Sequence, residues 1–237
     1  MGVFMLKGRI RLHSLVPILV LLLSLLLSGG VRSLAALAAL PPSPLVILDA
    51  GHGGIDAGAV GAAGSKEKEL VLAYALTLKE MFTEAGVPVL LTRTEDALVL
   101  GGEDEGQRGR KAKDLKNRAA IAARYPGAVF VSLHMNAYPV AKYRGFEVYY
   151  GAGEGSRPLA ERITARVKKE VDPVYTRTPR AAGEGIYLLS HMTNTAVLVE
   201  FGFLSCPEEE AKLLEKDYQK KLCFCVFYAI MEEKNLF

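Results

Sequence analysis

The stretch LDAGHGGIDAGAVG, residues 48–61, connects the first predicted strand of this chain to its first predicted helix. It continues the apolar run LVILDA, which predicts a buried strand, into a loop where one histidine, His52, lies among five glycines. Such a loop has two interpretations. In one it is a glycine-rich turn in which His52 has no chemical role. In the other His52 binds a metal ion, and the small residues leave space for a substrate to approach it.

Strands and helices alternate along the rest of the chain. The helix predicted for residues 66–85 has apolar residues at every fourth position, begins after a capping Ser65 and ends at Gly86. Residues 95–113 are charged and rich in glycine, which predicts a surface loop before a helix capped by Asp114. The other predicted strands are 87–92, 128–134, 146–150, 185–189 and 196–203, and the other helices are 114–123, 158–169, one from Pro207 and one in YQKKLCFCVFYAIMEE. This order predicts one α/β domain with a twisted, mainly parallel central sheet flanked by helices.

Residues 1–40 have the three parts of an export signal: basic residues, the apolar run LVPILVLLLSLLL, and small residues around a candidate cleavage site. The run is short for a membrane span, but apolar character continues weakly, so an uncleaved signal anchor is the alternative to a cleaved signal peptide. PPSP at residues 41–44 predicts a stiff linker, and residues 45–237 are the predicted domain. We therefore expect an exported protein, which contacts the membrane only through its N-terminal segment if that segment stays uncleaved.

Charge and cysteine content exclude two kinds of site. Residues 1–40 hold four of the 29 basic residues and no acidic residue, which leaves 25 Lys or Arg against 26 Asp or Glu in residues 41–237. A nucleic-acid partner would leave a basic excess on the domain, so none is expected. Three cysteines are too few for a disulfide framework. Cys223 and Cys225 are poorly spaced for zinc and are predicted to lie in the core.

Four acidic or imidazole side chains are predicted to gather at one edge of the sheet. His52 follows the first strand, His134 ends the strand VFVSLH, and Glu200 lies near the end of AVLVE. Open α/β sheets build their sites at the carboxyl ends of strands. Glu67 lies in the first turn of the helix after the His52 loop and can face the same edge, but Glu69 is an alternative.

These residues match a catalytic zinc site. Two histidines and one carboxylate form a shell that leaves a fourth position for water, so His52, Glu67 and His134 are the candidate ligands of one Zn²⁺ ion. Glu200 is the candidate general base, because burial behind an apolar strand would raise its pKa. Each residue alone also has a structural interpretation, such as a histidine at a strand end or a carboxylate on a solvated face. Asn136 is predicted to cap a turn, with the orientation of a ligand or substrate as the alternative, and no substrate-binding residue is assigned.

Four separated segments, LDAGHGGIDAGAVG, EKEL, VSLHMNA and VLVEFGFLS, resemble in order and spacing the zinc-dependent N-acetylmuramoyl-L-alanine amidases of bacterial cell walls. The resemblance covers nearly all of residues 45–231. It implies that His52, Glu67 and His134 bind zinc and that Glu200 is catalytic, and it favours Glu67 over Glu69. The implied reaction hydrolyses the amide bond between the lactyl group of N-acetylmuramic acid and L-alanine in the glycan–peptide strands of peptidoglycan.

The chain is most similar to the germination-specific branch of that family, through GQRGRKAKDLKNRAAIAARYPGA, GFEVYY, GIYLL and YQKKL. This resemblance implies action in the spore cortex, in the space between the forespore membranes, together with a downstream muramic acid deacetylase that helps to form muramic-δ-lactam. A regulatory partner protein is also expected. Thr195 and Cys206 replace a usual proline and asparagine, which affects loop geometry and not the metal shell. No insertion follows FEVYY, so the self-blocking helix of related division amidases is not expected.

Three other functions fit parts of the pattern. An inactive wall-binding module would keep the fold, but all four chemical residues are present. A different zinc hydrolase, such as a peptidase acting on the stem peptide, would be distinguished by its products. A phosphate-binding loop in GHGGIDAG would need to run directly into a helix and carry a Lys-Ser or Lys-Thr pair, and this sequence does neither.

Overall fold

The computed structural model describes residues 46–100 and 107–236. The predicted leader and linker at residues 1–44 lie outside the described residues. The strands are β1 (Val46–Ala50), β2 (Val89–Leu91), β3 (Val129–Asn136), β4 (Glu147–Tyr150), β5 (Arg180–Ala181) and β6 (Ala196–Phe203). The helices are α1 (Glu67–Glu84), α2 (Gln107–Ala123), α3 (Ser156–Glu170), α4 (Tyr187–Ser190), α5 (Pro207–Leu214) and α6 (Lys216–Glu233). None of these helices is long and apolar enough to span a lipid bilayer.

The strands join one sheet in the order β2-β1-β3-β6-β4-β5. β1 pairs in parallel with β2 and β3, and β3 pairs in parallel with β6. β4 is antiparallel to β6, and the short β5 is parallel to β4. The predicted fold class, an α/β domain with a mainly parallel sheet flanked by helices, is therefore confirmed.

Side chains of the central strands alternate between two apolar layers. In β3, Val131 and Leu133 belong to the larger core, which includes residues of α1, α3 and α6, whereas Phe130 belongs to the smaller core with residues of α2 and α4. Burial on both faces explains why these strands are nearly continuous apolar runs in the sequence. Because side chains alternate along a strand, Ser132 and His134 project to the same face as Phe130. On that face of β3, the apolar residue Phe130 is therefore followed by the polar residues Ser132 and His134.

Two predicted helix starts are wrong. Lys66, and not Ser65, is the N-cap residue of α1, and it makes no side-chain cap hydrogen bond. The Ser65 hydroxyl instead donates to Glu210 of α5. α2 begins at Gln107, inside the segment predicted as a surface loop, so Asp114 lies within the helix. The charge of that segment does not oppose a helix, because Lys, Arg, Gln and Ala are all good helix formers.

The predicted strand at residues 185–189 is also wrong. Part of it forms α4, in which Leu188 and Leu189 are buried, because a short apolar run suits either a strand or a buried helical turn. The edge strand on the outer side of β4 is instead β5, whose two residues are exposed and show no apolar pattern. The remaining strands and helices are confirmed with shifts at their ends, and Gly86 follows α1 with a left-handed φ of 71°. Cys223 and Cys225 are buried, as predicted.

Candidate metal centre

Three side chains from separate parts of the chain meet beside the carboxyl ends of β1 and β3. His52 follows β1, Glu67 is the first residue of α1, and His134 lies in β3. Glu67 Oε1 is 2.8 Å from His134 Nδ1 and 3.2 Å from His52 Nε2. One ligand atom from each residue lies within 4.8 Å of the other two. The fold therefore brings the three predicted ligands to a position that one ion could share.

Both oxygens of the Glu67 carboxylate are held by the backbone. Oε1 accepts a hydrogen bond from Met135 N at 3.0 Å, and Oε2 accepts one from Ala59 N at 2.8 Å. Burial would raise the pKa of Glu67, but hydrogen bonds with the two histidines lower it, so the carboxylate is charged. Glu69, the alternative in the sequence, has a side chain that is 58% exposed and is not part of this group.

The loop that carries His52 has an unusual backbone. His52 has a left-handed φ of 59°, and the two glycines after it also have positive φ. A non-glycine residue in this conformation costs on the order of 1–3 kcal/mol and needs support from its surroundings. Arg118 Nη2 supplies it by donating to His52 O at 2.7 Å, and Arg93 Nη2 donates to Gly51 O at 2.9 Å.

Arg118 is buried between two carboxylates. Its Nη1 donates to Asp49 Oδ1 at 2.7 Å, and its Nε donates to Asp114 Oδ2 at 2.8 Å. Asp49 also accepts hydrogen bonds from Ser132 Oγ and Thr92 Oγ1, each at 2.7 Å. Burial would raise the pKa of Asp49, but Arg118 and the hydroxyl donors lower it below its usual value. This network joins β1, β3 and α2 beside the His52 loop, and no sequence motif predicted it.

Two glycines of the loop are required by the close approach of the candidate ligands. A Cβ atom at Gly51 would lie 2.5 Å from His134 Nε2, and one at Gly58 would lie 2.5 Å from Glu67 Oε2. The space at these positions is therefore filled by the side chains of His134 and Glu67. The expectation that the small residues leave room for substrate is wrong at Gly51 and Gly58.

Asp56 fixes the orientation of the His52 ring. His52 Nδ1 lies 2.9 Å from Asp56 Oδ2, which leaves Nε2 facing Glu67. Lys111 Nζ lies 3.2 Å from the same Asp56 oxygen. A carboxylate on the second ring nitrogen is a usual partner of a metal-binding histidine. The sequence analysis did not single out Asp56, although a position four residues after His52 in the same loop is a usable signal.

Glu200 is the neighbour of His134 across the sheet. The two residues are paired in the β3–β6 register, so their side chains share a face. Glu200 Oε2 is buried and has no hydrogen-bond partner within the described ranges. Burial raises the pKa of Glu200 to about 7; His134 opposes the rise, whereas Glu67 and Glu147 add to it. A carboxylate that titrates near neutrality suits proton transfer.

A cavity of about 380 Å³ adjoins the three candidate ligands and Glu200. Tyr187 and Leu188 of α4 also line it. The segment predicted as a strand therefore contributes a wall of the site. Asn136, at the end of β3, also lines the cavity, and its Nδ2 donates to Glu147 Oε2 at 3.0 Å. The prediction that Asn136 caps a turn is therefore wrong, whereas its place in the cavity wall fits the alternative, that it orients a ligand or substrate.

The donor set fits a zinc ion. Zinc commonly takes imidazole nitrogens and carboxylate oxygens, and a tetrahedral shell with bonds of about 2.1 Å separates its ligand atoms by about 3.4 Å. The 2.8 Å and 3.2 Å separations around Glu67 Oε1 are close to that spacing. The buried, unpartnered oxygen of Glu200 next to the group indicates that a water or substrate atom completes the site.

Comparison with known proteins identifies related sequences. The profile of the family described as N-acetylmuramoyl-L-alanine amidase matches residues 46–232. The germination-specific N-acetylmuramoyl-L-alanine amidase of Bacillus subtilis is 32% identical over 188 residues, which cover 79% of this chain and 78% of that protein.

Solved structures give the same relationship. The CwlD amidase from Clostridioides difficile, solved in complex with the GerS lipoprotein, matches with a TM-score of 0.76 and 34% identity, covering 81% of this chain and 98% of that chain. The amidase AmiC2 of Nostoc punctiforme matches with a TM-score of 0.67 and 28% identity, covering 81% and 98% respectively.

Replacing Arg118 with methionine should destabilise the domain, because Asp49 would remain as a buried carboxylate with hydroxyl partners only. We expect the free energy of unfolding to fall by about 3–5 kcal/mol, as measured by urea denaturation. The control is Arg124→Met, which changes an exposed arginine and should alter stability by no more than about 0.5 kcal/mol. Equal stability of the two variants would contradict the role of the network.

Replacing Gly51 with alanine should displace the His134 ring, because the new Cβ would overlap it. We expect the affinity of the His52–Glu67–His134 group for Zn²⁺ to fall about 10- to 100-fold, as measured by competition with a chromophoric chelator. Gly127→Ala is the matched control, since a Cβ there meets no atom within 4 Å. Wild-type zinc affinity in Gly51→Ala would show that the close approach is unimportant.

Proposed function

The chain belongs to the N-acetylmuramoyl-L-alanine amidase family, and from this membership we propose the residues by which it cleaves peptidoglycan. The enzyme hydrolyses the amide bond between the lactyl group of N-acetylmuramic acid and the L-alanine of the stem peptide. We assign His52, Glu67 and His134 as the ligands of one Zn²⁺ ion and Glu200 as the general base. The observation that carries this assignment is that two imidazoles and a carboxylate meet beside a second, buried carboxylate.

The mechanism follows from the position of Glu200. When bound, the zinc ion supplies a Lewis acid that polarises the scissile carbonyl and acidifies water. Glu200 accepts a proton as the water oxygen bonds to the lactyl carbonyl carbon, and it gives that proton to the nitrogen of L-alanine as the C–N bond breaks. The products are a lactyl carboxylate and a free amine on L-alanine. Asp56 keeps the His52 ring in one orientation throughout.

A role in the spore cortex is the finer part of the proposal. Its support is the similarity to the germination-specific amidase of Bacillus subtilis and to CwlD of Clostridioides difficile. In this role the cleaved muramic acid passes to a separate downstream deacetylase, and the two reactions lead to muramic-δ-lactam. The complex of CwlD with the GerS lipoprotein supports a regulatory partner protein for this chain as well.

The proposed location is outside the cytoplasmic membrane, where peptidoglycan lies. The amidase relatives support export, and the N-terminal sequence pattern supports a signal peptide or signal anchor at residues 1–40 followed by a linker at residues 41–44. Residues 45–237 then form the catalytic domain. In a spore former this location is the space between the forespore membranes.

Variants of the two kinds of site residue should separate metal binding from proton transfer. Glu200→Gln should keep its zinc and lose activity by about 10²- to 10⁴-fold, because it removes a general base and no ligand. His52→Ala should lose both zinc and activity. Elemental analysis combined with muropeptide digestion measures both quantities.

Glu69→Gln is the matched control, because Glu69 is exposed on the same helix as Glu67 and lies outside the metal group. It should retain zinc and activity. Turnover of Glu200→Gln at the wild-type rate would refute the role given to Glu200.

Product analysis should identify the cleaved bond. Digestion of vegetative sacculi and spore cortex, followed by mass spectrometry, should give peptides with a new amine on L-alanine and glycans with a free lactyl carboxylate. Cleavage within the stem peptide would indicate a peptidase, and the absence of products would indicate a wall-binding module. Preference for cortex over sacculi would support the spore role, and the reverse preference would argue against it.

A further inference from the structure

A second cavity, of about 300 Å³, lies next to Glu147 and contains none of the four residues assigned to chemistry. We name it the arginine subsite, after the residues that line it: Glu147, Thr176, Arg177, Thr178 and Arg180. Each of the lining side chains carries either a hydroxyl or a charged group. Two cations and one anion leave the subsite with a net positive charge.

Glu147 connects the arginine subsite to the catalytic cavity. It is paired with Glu200 in the antiparallel β4–β6 register, and directly opposed residues in such a pair project to the same face. Its Oε2 also accepts the hydrogen bond from Asn136, which lines the catalytic cavity. The two cavities are therefore neighbours on one face of the sheet.

The two guanidinium groups are held in place but keep donors for a ligand. Arg180 Nη2 lies 2.9 Å from Glu147 Oε2, and its guanidinium lies 5.0 Å from the centre of the Tyr149 ring. Arg177 Nη1 lies 3.4 Å from Glu147 Oε1 and donates to Gly145 O at 3.1 Å. Among the described residues, each guanidinium uses one of its three nitrogens in these bonds. The side chains are 57% and 32% exposed, so the remaining N–H groups can reach a ligand.

This arrangement suits a carboxylate. A guanidinium presents its N–H groups in a planar fork that matches the two oxygens of a carboxylate, and charge-assisted hydrogen bonds of this kind are strong. Glu147 is the one acidic residue in the lining and offsets one of the two positive charges there. Glu209, outside the lining, also interacts electrostatically with Arg177. An anionic ligand would add a counter-charge within the subsite itself.

The distance from Glu200 matches a short peptide. β5 is two strands away from β6, which is about 10 Å at a strand spacing of about 4.8 Å. An extended peptide advances about 3.3–3.6 Å per residue, so Arg180 lies within about three residues of the atom that Glu200 protonates. In the proposed reaction that atom is the nitrogen of L-alanine, and the rest of the stem peptide continues from it.

We propose that Arg177 and Arg180 bind a carboxylate of the stem peptide within about three residues of L-alanine, and select peptides in which that carboxylate is free. This inference depends on the proposed function, since it uses Glu200 to place the leaving peptide. The arginines determine which stem peptides the enzyme prefers, and they do not change which bond it cleaves.

The test compares two synthetic glycan–peptide substrates that differ only at this carboxylate, which is free in one and converted to its amide in the other. The ratio of kcat/KM values should favour the free carboxylate by about 10- to 100-fold in the wild-type enzyme. Arg180→Gln should lower this ratio at least about tenfold, and Arg180→Lys should give an intermediate ratio, because lysine keeps the charge and loses the fork.

Arg157→Gln is the matched control. Arg157 lies on α3 with a side chain that is 70% exposed, and it lines neither cavity. It should show the wild-type ratio, and thermal melting should confirm that every variant is folded.

Two results would overturn the inference: an equal fall of kcat/KM on both substrates in Arg180→Gln, or a wild-type enzyme that does not distinguish them. Failure of the proposed function looks different, because the wild-type enzyme would then release L-alanine peptide from neither substrate.

Discussion

Two buried guanidinium groups hold the backbone of the loop on which the site depends. Arg118 and Arg93 donate hydrogen bonds to carbonyl oxygens of residues 50–52, where the chain leaves β1. At His52 the backbone adopts a left-handed conformation. The loop alone would not keep this conformation, since a non-glycine residue gains nothing locally from a positive φ. Asp49 and Asp114 in turn neutralise Arg118, which makes its burial possible. Loop geometry therefore depends on an ion-pair network drawn from β1 and α2.

The alternation of side chains along the strands places the three site residues that lie in the sheet on one face. His134, Glu200 and Glu147 lie side by side on β3, β6 and β4, all on the face of the smaller core. They differ in kind: His134 is an imidazole of the candidate metal group, Glu200 is a carboxylate with a pKa near neutrality, and Glu147 is a carboxylate paired with arginines. Glu147 adds to the rise in the pKa of Glu200, and the same Glu147 is paired with the two arginines.

The sequence predicted those parts of the molecule that depend on local pattern. The apolar runs predicted β1, β3 and β6, and their carboxyl ends predicted that His52, His134 and Glu200 should meet. Glu67, at a helix start, was favoured over Glu69 only by the family resemblance. Periodicity failed where tertiary contacts decide: α4 is a helix because it covers the smaller core, and β5 pairs through its backbone with no apolar signal. Asp56, Arg118 and Arg180 act through partners 4, 69 and 33 residues away, and spacing along the chain does not reveal which arginine reaches which carboxylate.

β6 is the last strand in the sequence, yet it lies between β3 and β4 in the sheet. A chain that grows from its N-terminus must therefore hold two unjoined pieces of sheet until β6 is available to bridge them. The candidate metal ligands all precede this strand, whereas Glu200, the proposed general base, lies within it. A polypeptide that ends before β6 therefore lacks both the strand that joins the two halves of the sheet and the proposed general base.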